Sequence, residues 1–301
     1  MSELQVDVEG RTLTISNLDK VLYPRTGTTK GEVLNYYAQV SPVLLPHLRD
    51  RAVTRIRWPH GVEGSSFFEK NAPPGTPSWV RTAEVPTTGS RTASGSGTLR
   101  FPICDDLATL TWLANLAALE LHVHQWKVDA EGHPLPPDRL VIDLDPGEPA
   151  GLHECAQVAL LVRDALAEHD LTCTPVTSGS KGLHLYAALQ PTGRESLDSD
   201  GTTALAKEVA EGLQAEHSAL VTATMTKAKR PGKVFLDWSQ NSGSKTTVSP
   251  YSLRGRERPT VATPLTWDEV EQGADDELAL AQFSMEQVLE RVTELGDVLH
   301  A

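Results

Sequence analysis

The run Leu140-Val141-Ile142-Asp143-Leu144-Asp145-Pro146 constrains the fold more than any other stretch of this sequence. Its aliphatic residues read as a strand. A strand's side chains alternate between faces, so Asp143 and Asp145 project from one face while Ile142 and Leu144 bury the other. Pro146 cannot donate to a ladder, which puts the pair at a strand end, where a site opens to solvent. Two carboxylates this close repel unless a cation lies between them, and oxygen-only ligands suit magnesium or manganese rather than zinc. Asp-Pro-Gly is also ordinary turn chemistry, so on this motif alone a metal pair and a solvated strand end stand level.

At 301 residues the chain can form one large domain or two modest ones around a substantial core. Val6 to Ile15 suits a short hairpin. Lys30 to His47 carries apolar residues at helical spacing, with Thr28-Thr29 placed to cap the helix. Residues 82 to 100 are small, polar and glycine-rich, as in a long exposed loop or a mobile hairpin. Leu107 to Leu121 predicts a helix with an apolar face, ending near Glu120-Leu121-His122, and Leu152 to His169 predicts another. An extended segment to Val176, a tight turn from Ser178 to Gly182 and a strand from Leu183 to Leu189 follow. A polar break at Gln190 to Asp200 leads to a helix near Thr203 to Ala215. Val234 to Trp238 reads as a short strand, and the acidic end, Trp267 to Leu299, as mainly helical. Strands and helices do not alternate regularly, which favours an α+β fold with mixed sheets over a doubly wound one.

A formal charge of −13 argues against a polyanionic partner until its distribution is considered. Residues 225 to 258 hold eight Lys or Arg against Asp237 and Glu257, a net +6, and residues 11 to 70 hold nine against five acids, a net +4. Residues 259 to 301 hold ten Asp or Glu and one Arg. Such asymmetry lets one face meet a polyanion while the rest repels it, although solvated charge runs are common. No apolar stretch approaches the roughly 20 residues of a membrane span. Met1 to Asp7 is acidic and lacks an apolar signal core, so a cytoplasmic protein is expected. Cys104, Cys155 and Cys173 are odd in number and widely spaced, fitting neither a zinc site nor a disulfide framework.

A third carboxylate, Asp237, sits among Phe235, Leu236 and Trp238, where an unpaired charge is costly, so a positive partner is expected for it. If its strand lies beside the aspartate pair, three carboxylates converge as two-metal phosphoryl transfer requires. Ser178-Gly179-Ser180-Lys181-Gly182 offers close backbone approach, donors and a cation to an anion, yet differs from the phosphate loop of nucleotide hydrolases and resembles many hairpin turns. His184 and Tyr186 share a strand face opposite Leu183 and Leu185, which points to His184 as a site residue. His122 and His124 stand two apart with nothing to complete a zinc set. His122 reads as a hydrogen-bonding site residue, and His124 equally as a satisfied structural one. Phe67-Phe68-Glu69-Lys70 places adjacent aromatics on opposite faces, so an exposed ring beside cations is a candidate base-stacking platform, and burial of one ring in the core and the other under a loop is the level alternative.

These segments resemble the polymerase domain of bacterial ligase D, a member of the archaeo-eukaryotic primase superfamily acting in non-homologous end joining. Eight stretches carry the resemblance in order: Asn17 to Pro24, Arg57-Trp58-Pro59, Phe67 to Lys70, Glu120-Leu121-His122, Asp143 to Gly147, Thr177 to Tyr186, Asp237 to Asn241, and Pro250 to Arg256. The resemblance implies a single primase-polymerase domain over residues 1–301, a mixed α/β core with flanking helices, its N-terminal sub-region near 1–105 and its catalytic sub-region near 106–301. It implies that Asp143, Asp145 and Asp237 hold two divalent metals, manganese or magnesium. Ser178, Lys181, His184 and Arg254 would bind the nucleoside triphosphate and His122 would sit at the nucleotide. Asn17, Lys20 and Lys30 would take the 5′-phosphate of a DNA gap or break, Phe67 and Phe68 would stack on template bases, and Arg230 would lie on a mobile loop that positions the primer end. Ribonucleotide preference, Ku and an ATP-dependent DNA ligase as partners, a nucleoid-associated cytoplasmic location, and a loop at 82–100 that aligns DNA ends belong to the same implication. A de novo primase is the rival enzyme reading, and a non-catalytic end-bridging module the rival from another class. The chain carries no ligase nucleophile motif, which leaves a fragment of a multidomain ligase D and a stand-alone polymerase both open.

Overall fold

The computed structural model describes residues 3–86, 97–189 and 197–299. Two sheets organise them. The larger has five strands in the spatial order Cys173–Thr177, Leu183–Ala188, Arg139–Pro146, Val234–Asp237 and Val221–Thr222, antiparallel except for the last pair. The smaller has four, in the order Thr247–Val248, Ala118–Val123, Val53–Arg57 and Phe67–Glu69, all antiparallel.

The strand Arg139–Pro146 lies at the centre of the larger sheet, and its alternation sorts the molecule. Leu140, Ile142 and Leu144 are fully buried, packed with Leu183, Leu185, Val234 and Leu236 beneath the helices Leu152–Ala167 and Ser199–Glu216. Val141 faces the other way, in a small cluster with Val176, Tyr186, Val248 and Ala262 that joins the two sheets. Tyr186 donates its hydroxyl to Val248 O at 3.0 Å, so the polar atom that this contact buries is satisfied. Where Val234–Asp237 ends, the amide of Asn241 takes over as partner of Val141, accepting from its N–H at 2.8 Å and donating to its carbonyl at 2.7 Å.

A second core underlies the smaller sheet. The helix Lys30–Leu48 begins at Thr29, whose hydroxyl accepts from Glu32 N while Glu32 accepts from Thr29 N, a capping box. The helix buries Val33, Tyr36, Tyr37, Val40 and Leu44 against Leu110, Leu113, Leu119 and Leu121. Tyr37 donates to Leu119 O at 2.7 Å and Tyr36 to Tyr251 O at 2.8 Å. Tyr251, Leu253, Val261, Met285 and Val288 return from late in the chain to complete this core.

One expectation is corrected. The helix expected over Leu107–Leu121 stops at Asn115, Ala117 takes a left-handed φ of 58°, and Ala118–Val123 is a strand. Leu119, Leu121 and Val123 satisfy strand alternation as well as Leu113, Leu116 and Ala117 satisfy a helical face, and ladders on both sides decide for the strand. Residues 107–123 pack in one core with the helix Lys30–Leu48 and with residues 251–292. Within 82–100, Thr82–Pro86 and Thr98–Pro102 pair as a hairpin, and residues 87–96 lie outside the described residues, as do 190–196 of the polar break. Among the described residues no helix is long and apolar enough to cross a membrane.

Leu140→Ala removes a fully buried side chain from the helix-covered face without touching the aspartate face. Urea denaturation should show a loss of about 2–5 kcal/mol. A loss below about 1 kcal/mol would contradict this packing.

Candidate active site

Across the central strand the register sets Asp143 opposite His184 on one side and Asp237 on the other. Paired residues point to one face with Cβ atoms about 4.5–5.5 Å apart, so three titratable groups stand in a row across three strands. Asp145 emerges on the same face two residues on. Gln240 Nε2 bridges the two opposed carboxylates, 3.4 Å from Asp143 Oδ2 and 3.2 Å from Asp237 Oδ2, and His184 Nε2 is 3.4 Å from Asp143 Oδ1. Asp237 accepts from Ser239 N at 3.1 Å and has its positive partner, Lys245 Nζ, 4.0 Å away. Asp145 is half exposed and meets Arg230 at 3.4 Å.

Burial, reinforced by the charges of Asp237 and Asp145, pushes Asp143 up to about 7. Burial, with Arg254 and His122 nearby, pushes His184 down to about 3, so its ring is neutral at physiological pH, and its Nδ1 has no partner among the described residues. Opposed hard carboxylates with unrelieved repulsion fit a magnesium- or manganese-type ion, and Asp143, Asp145 and Asp237 are the residues that would hold it. Among the described residues no three His, Cys, Asp or Glu side chains are already gathered as a ligand set; Arg230 meets Asp145 and Ser239 N donates to Asp237.

The turn after Cys173–Thr177 forms one wall of the site. Ser178 Oγ accepts from Ser180 N and Gly182 N at 3.2 and 3.1 Å, and Ser178 O accepts from Arg254 Nη1 at 2.7 Å. Gly179 has φ of 66°, and a Cβ there would stand 2.6 Å from Arg254 Cγ, so only glycine lets the arginine cross. Lys181 is exposed at the rim and pairs with Glu148 at 3.2 Å. Arg254 Nε reaches Glu120 Oε1 at 3.3 Å, and His122 Nε2 is 2.7 Å from Glu120 Oε2. His124 is a core residue instead, stacked on Trp126 at 4.2 Å and pushed down to about 3 by burial and the charge of Lys70.

The predicted DNA contacts lie further out. Asn17, Lys20 and Lys30 come together through backbone bonds, Lys20 N to Asn17 O and Lys30 N to Lys20 O. Lys20 stays accessible. Lys30 turns inward, donating to Ser16 O at 2.6 Å and Asn115 Oδ1 at 2.7 Å, and burial with Lys20 beside it lowers its ammonium to about 8. Phe67 and Phe68, on the edge strand of the smaller sheet, are both exposed, at 47% and 58%. Arg230 lies over the Phe235 ring, 3.6 Å from its centroid. Glu120, buried and in contact with His122, Arg254 and Gly255, is the residue beside the site that single-residue reading passed over. Its place in the Glu-Leu-His motif was visible, but its partner Gly255 lies 135 positions away.

A family model described as "LigD, primase-polymerase domain" matches residues 29–299. The chain is 51% identical over 292 residues to the "Multifunctional non-homologous end joining DNA repair protein LigD" of Mycobacterium tuberculosis strain H37Rv, covering 95% of this chain and 36% of the relative. It is 34% identical over 284 residues to the "Bifunctional non-homologous end joining protein LigD" of Bacillus subtilis strain 168, with 94% and 43% covered. The chain therefore spans well under half the length of these relatives. Among solved structures, the polymerase domain from Mycobacterium tuberculosis ligase D in complex with DNA matches with a TM-score of 0.87 and 49% identity, over 95% of this chain and 96% of that one.

Because Asp143 holds its proton more tightly folded than unfolded, the native state carries the extra proton between the ordinary value of 3.8 and about 7, and stability falls as pH rises through that window. The drop is on the order of 4 kcal/mol at most. Denaturant melts of metal-free protein at about pH 5 and about pH 8 should record it, and Asp143→Asn should flatten the profile. An Asn variant with the wild-type profile would contradict the assignment.

Proposed function

The chain belongs to the LigD primase-polymerase family, and we propose that it is a metal-dependent, template-directed nucleotidyltransferase that fills gaps and extends 3′ ends in bacterial non-homologous end joining. The observation that carries the reading is the row of Asp237, Asp143 and His184, with Asp145 beside it and Arg254 and the Ser178 turn forming the adjacent wall. Two divalent ions, manganese in preference to magnesium, would neutralise charge and align the reacting oxygens when bound. Asp143, Asp145 and Asp237 are their holders.

The remaining residues bind and orient. Arg254 offers a planar guanidinium to the triphosphate, Lys181 a point charge from the rim, and Ser178 a hydroxyl that already accepts from the Ser180 and Gly182 amides. His184, being neutral, presents Nδ1 to the nucleotide without competing as a cation beside Asp143. His122 sits at the nucleotide from the opposite sheet. Arg230 helps position the primer end, and the exposed Phe67 and Phe68 stack on template bases. Lys20 is the direct contact of the 5′-phosphate pocket, with Asn17 beside it and Lys30 shaping it from beneath. Ribonucleotide preference, Ku and an ATP-dependent ligase in the same or a separate chain, and work at the nucleoid complete the reading.

Extension of a gapped duplex with ATP and manganese should fall by at least about a hundredfold in both Asp143→Ala and Asp237→Ala. Activity retained in both variants would overturn the mechanism. Lys20→Ala should weaken binding to a gap carrying a 5′-phosphate by about threefold to tenfold and leave the unphosphorylated gap unaffected. Equal weakening of both substrates, or dinucleotide synthesis on single strands indifferent to the phosphate, would favour a primase instead.

A further inference from the structure

Glu120 is buried to 4% exposure on the strand Ala118–Val123, and its carboxylate ties that strand to the Arg254-Gly255 segment. Its Oε2 meets His122 Nε2 at 2.7 Å, while Oε1 accepts from Gly255 N at 2.9 Å and faces Arg254 Nε at 3.3 Å. Burial alone would raise its proton affinity, but the His122 hydrogen bond and the Arg254 charge hold it at about 2, so it is an anion at working pH. An anion this close to a triphosphate site would repel the ligand unless it does something that outweighs the repulsion. We propose that Glu120 is a positioning residue for the incoming triphosphate, holding Arg254 and His122 at the nucleotide subsite and keeping Arg254 off the carboxylate row. This rests on the polymerase reading and deepens it.

The geometry explains why such a tether is needed. Arg254 is near enough to Asp143 for its charge to act on that carboxylate, and an untethered guanidinium beside an acidic row would collapse onto it. Glu120 Oε1 stands 3.3 Å from Nε as an ion pair rather than a hydrogen bond, and Ser178 O accepts from Nη1, so the carboxylate holds the guanidinium by charge on its Nε edge and the carbonyl holds it by a hydrogen bond. The backbone of the arginine is fixed as well, since Tyr23 donates to Arg254 O at 2.9 Å and the indole of Trp58 fills the space that a Cβ on residue 255 would need. On the other arm, a carboxylate at Nε2 keeps the proton there and leaves Nδ1 of His122 as the ring nitrogen open to the nucleotide.

The test compares wild type, Glu120→Gln, Arg254→Ala and the double variant, using ATP with manganese on a gapped duplex. Glu120→Gln should raise KM for ATP by about tenfold or more with a smaller change in kcat, leave affinity for the duplex unchanged, and cost less than about twofold in the Arg254→Ala background. A wild-type KM, an undiminished cost in the double variant, or parallel loss of DNA affinity would each overturn the proposal. A lower KM would do the same, since it would mark Glu120 as a repulsive charge alone. Should Glu120→Gln fail to fold, Glu120→Asp keeps the charge but shortens the reach, and a wild-type KM there would be equally fatal. Absence of extension by wild type would count against the polymerase reading, while calorimetry of ATP with manganese on wild type and Glu120→Gln still reads the tether, weaker binding in the variant supporting it and equal binding overturning it.

Discussion

Asp143 and Asp237 face each other across a single rung of the larger sheet, and their repulsion grows as water is excluded from around them. The protein surrounds this pair with partial answers. Gln240 reaches both carboxylates, Lys245 stands at one, Arg230 at the neighbouring Asp145, and Arg254 acts on Asp143 through space. None of them quenches Asp143. Each positive group is also held elsewhere: Arg230 by Phe235 and Met225 O, Lys245 by Ser239, and Arg254 by Ser178 O with Glu120 alongside. The result is a row of carboxylates whose mutual repulsion a bound divalent cation would relieve.

That tension is affordable because the opposite face of the same strand is secure. Leu140, Ile142 and Leu144 interleave with the aspartates along one backbone, so the packing of the helix-covered core dictates where the carboxylates point. A slip of one residue in register would exchange the two faces and put charge into the core. The Asn241 amide, closing on Val141 after Val234–Asp237 has ended, helps to pin that register at the point where the ladder runs out.

What could be read from the sequence followed how local the physics was. The orientation of Asp143 with Asp145 depends only on strand alternation, the start of the helix Lys30–Leu48 only on Thr29 and Glu32, and both are written in adjacent residues. The exposure of Phe67 and Phe68 was half legible, because alternation exposes one ring and only an edge strand exposes both. The position of Asp237 depended on strand pairing between segments some ninety residues apart, which the resemblance could suggest but the pattern could not. The helix overrun past Asn115 had the same origin: leucines at 113, 119 and 121 fit either period, and partners from residues 53–57 and 247–248 resolve them. Lys30 and Glu120 were opaque for the complementary reason. A lysine reads as solvated and a glutamate as solvent-facing until Asn115 or Gly255 arrives to receive them.

The N-terminal core is sealed by Tyr251, Leu253, Val261, Met285 and Val288, residues made some 130 positions or more after the strand Ala118–Val123 that they cover. During synthesis the helix Lys30–Leu48 and its sheet must therefore wait, partly open, while the whole of the aspartate-bearing sheet emerges and folds between them. Order of assembly is thus built into topology: the half of the protein that is translated first is the half that finishes last.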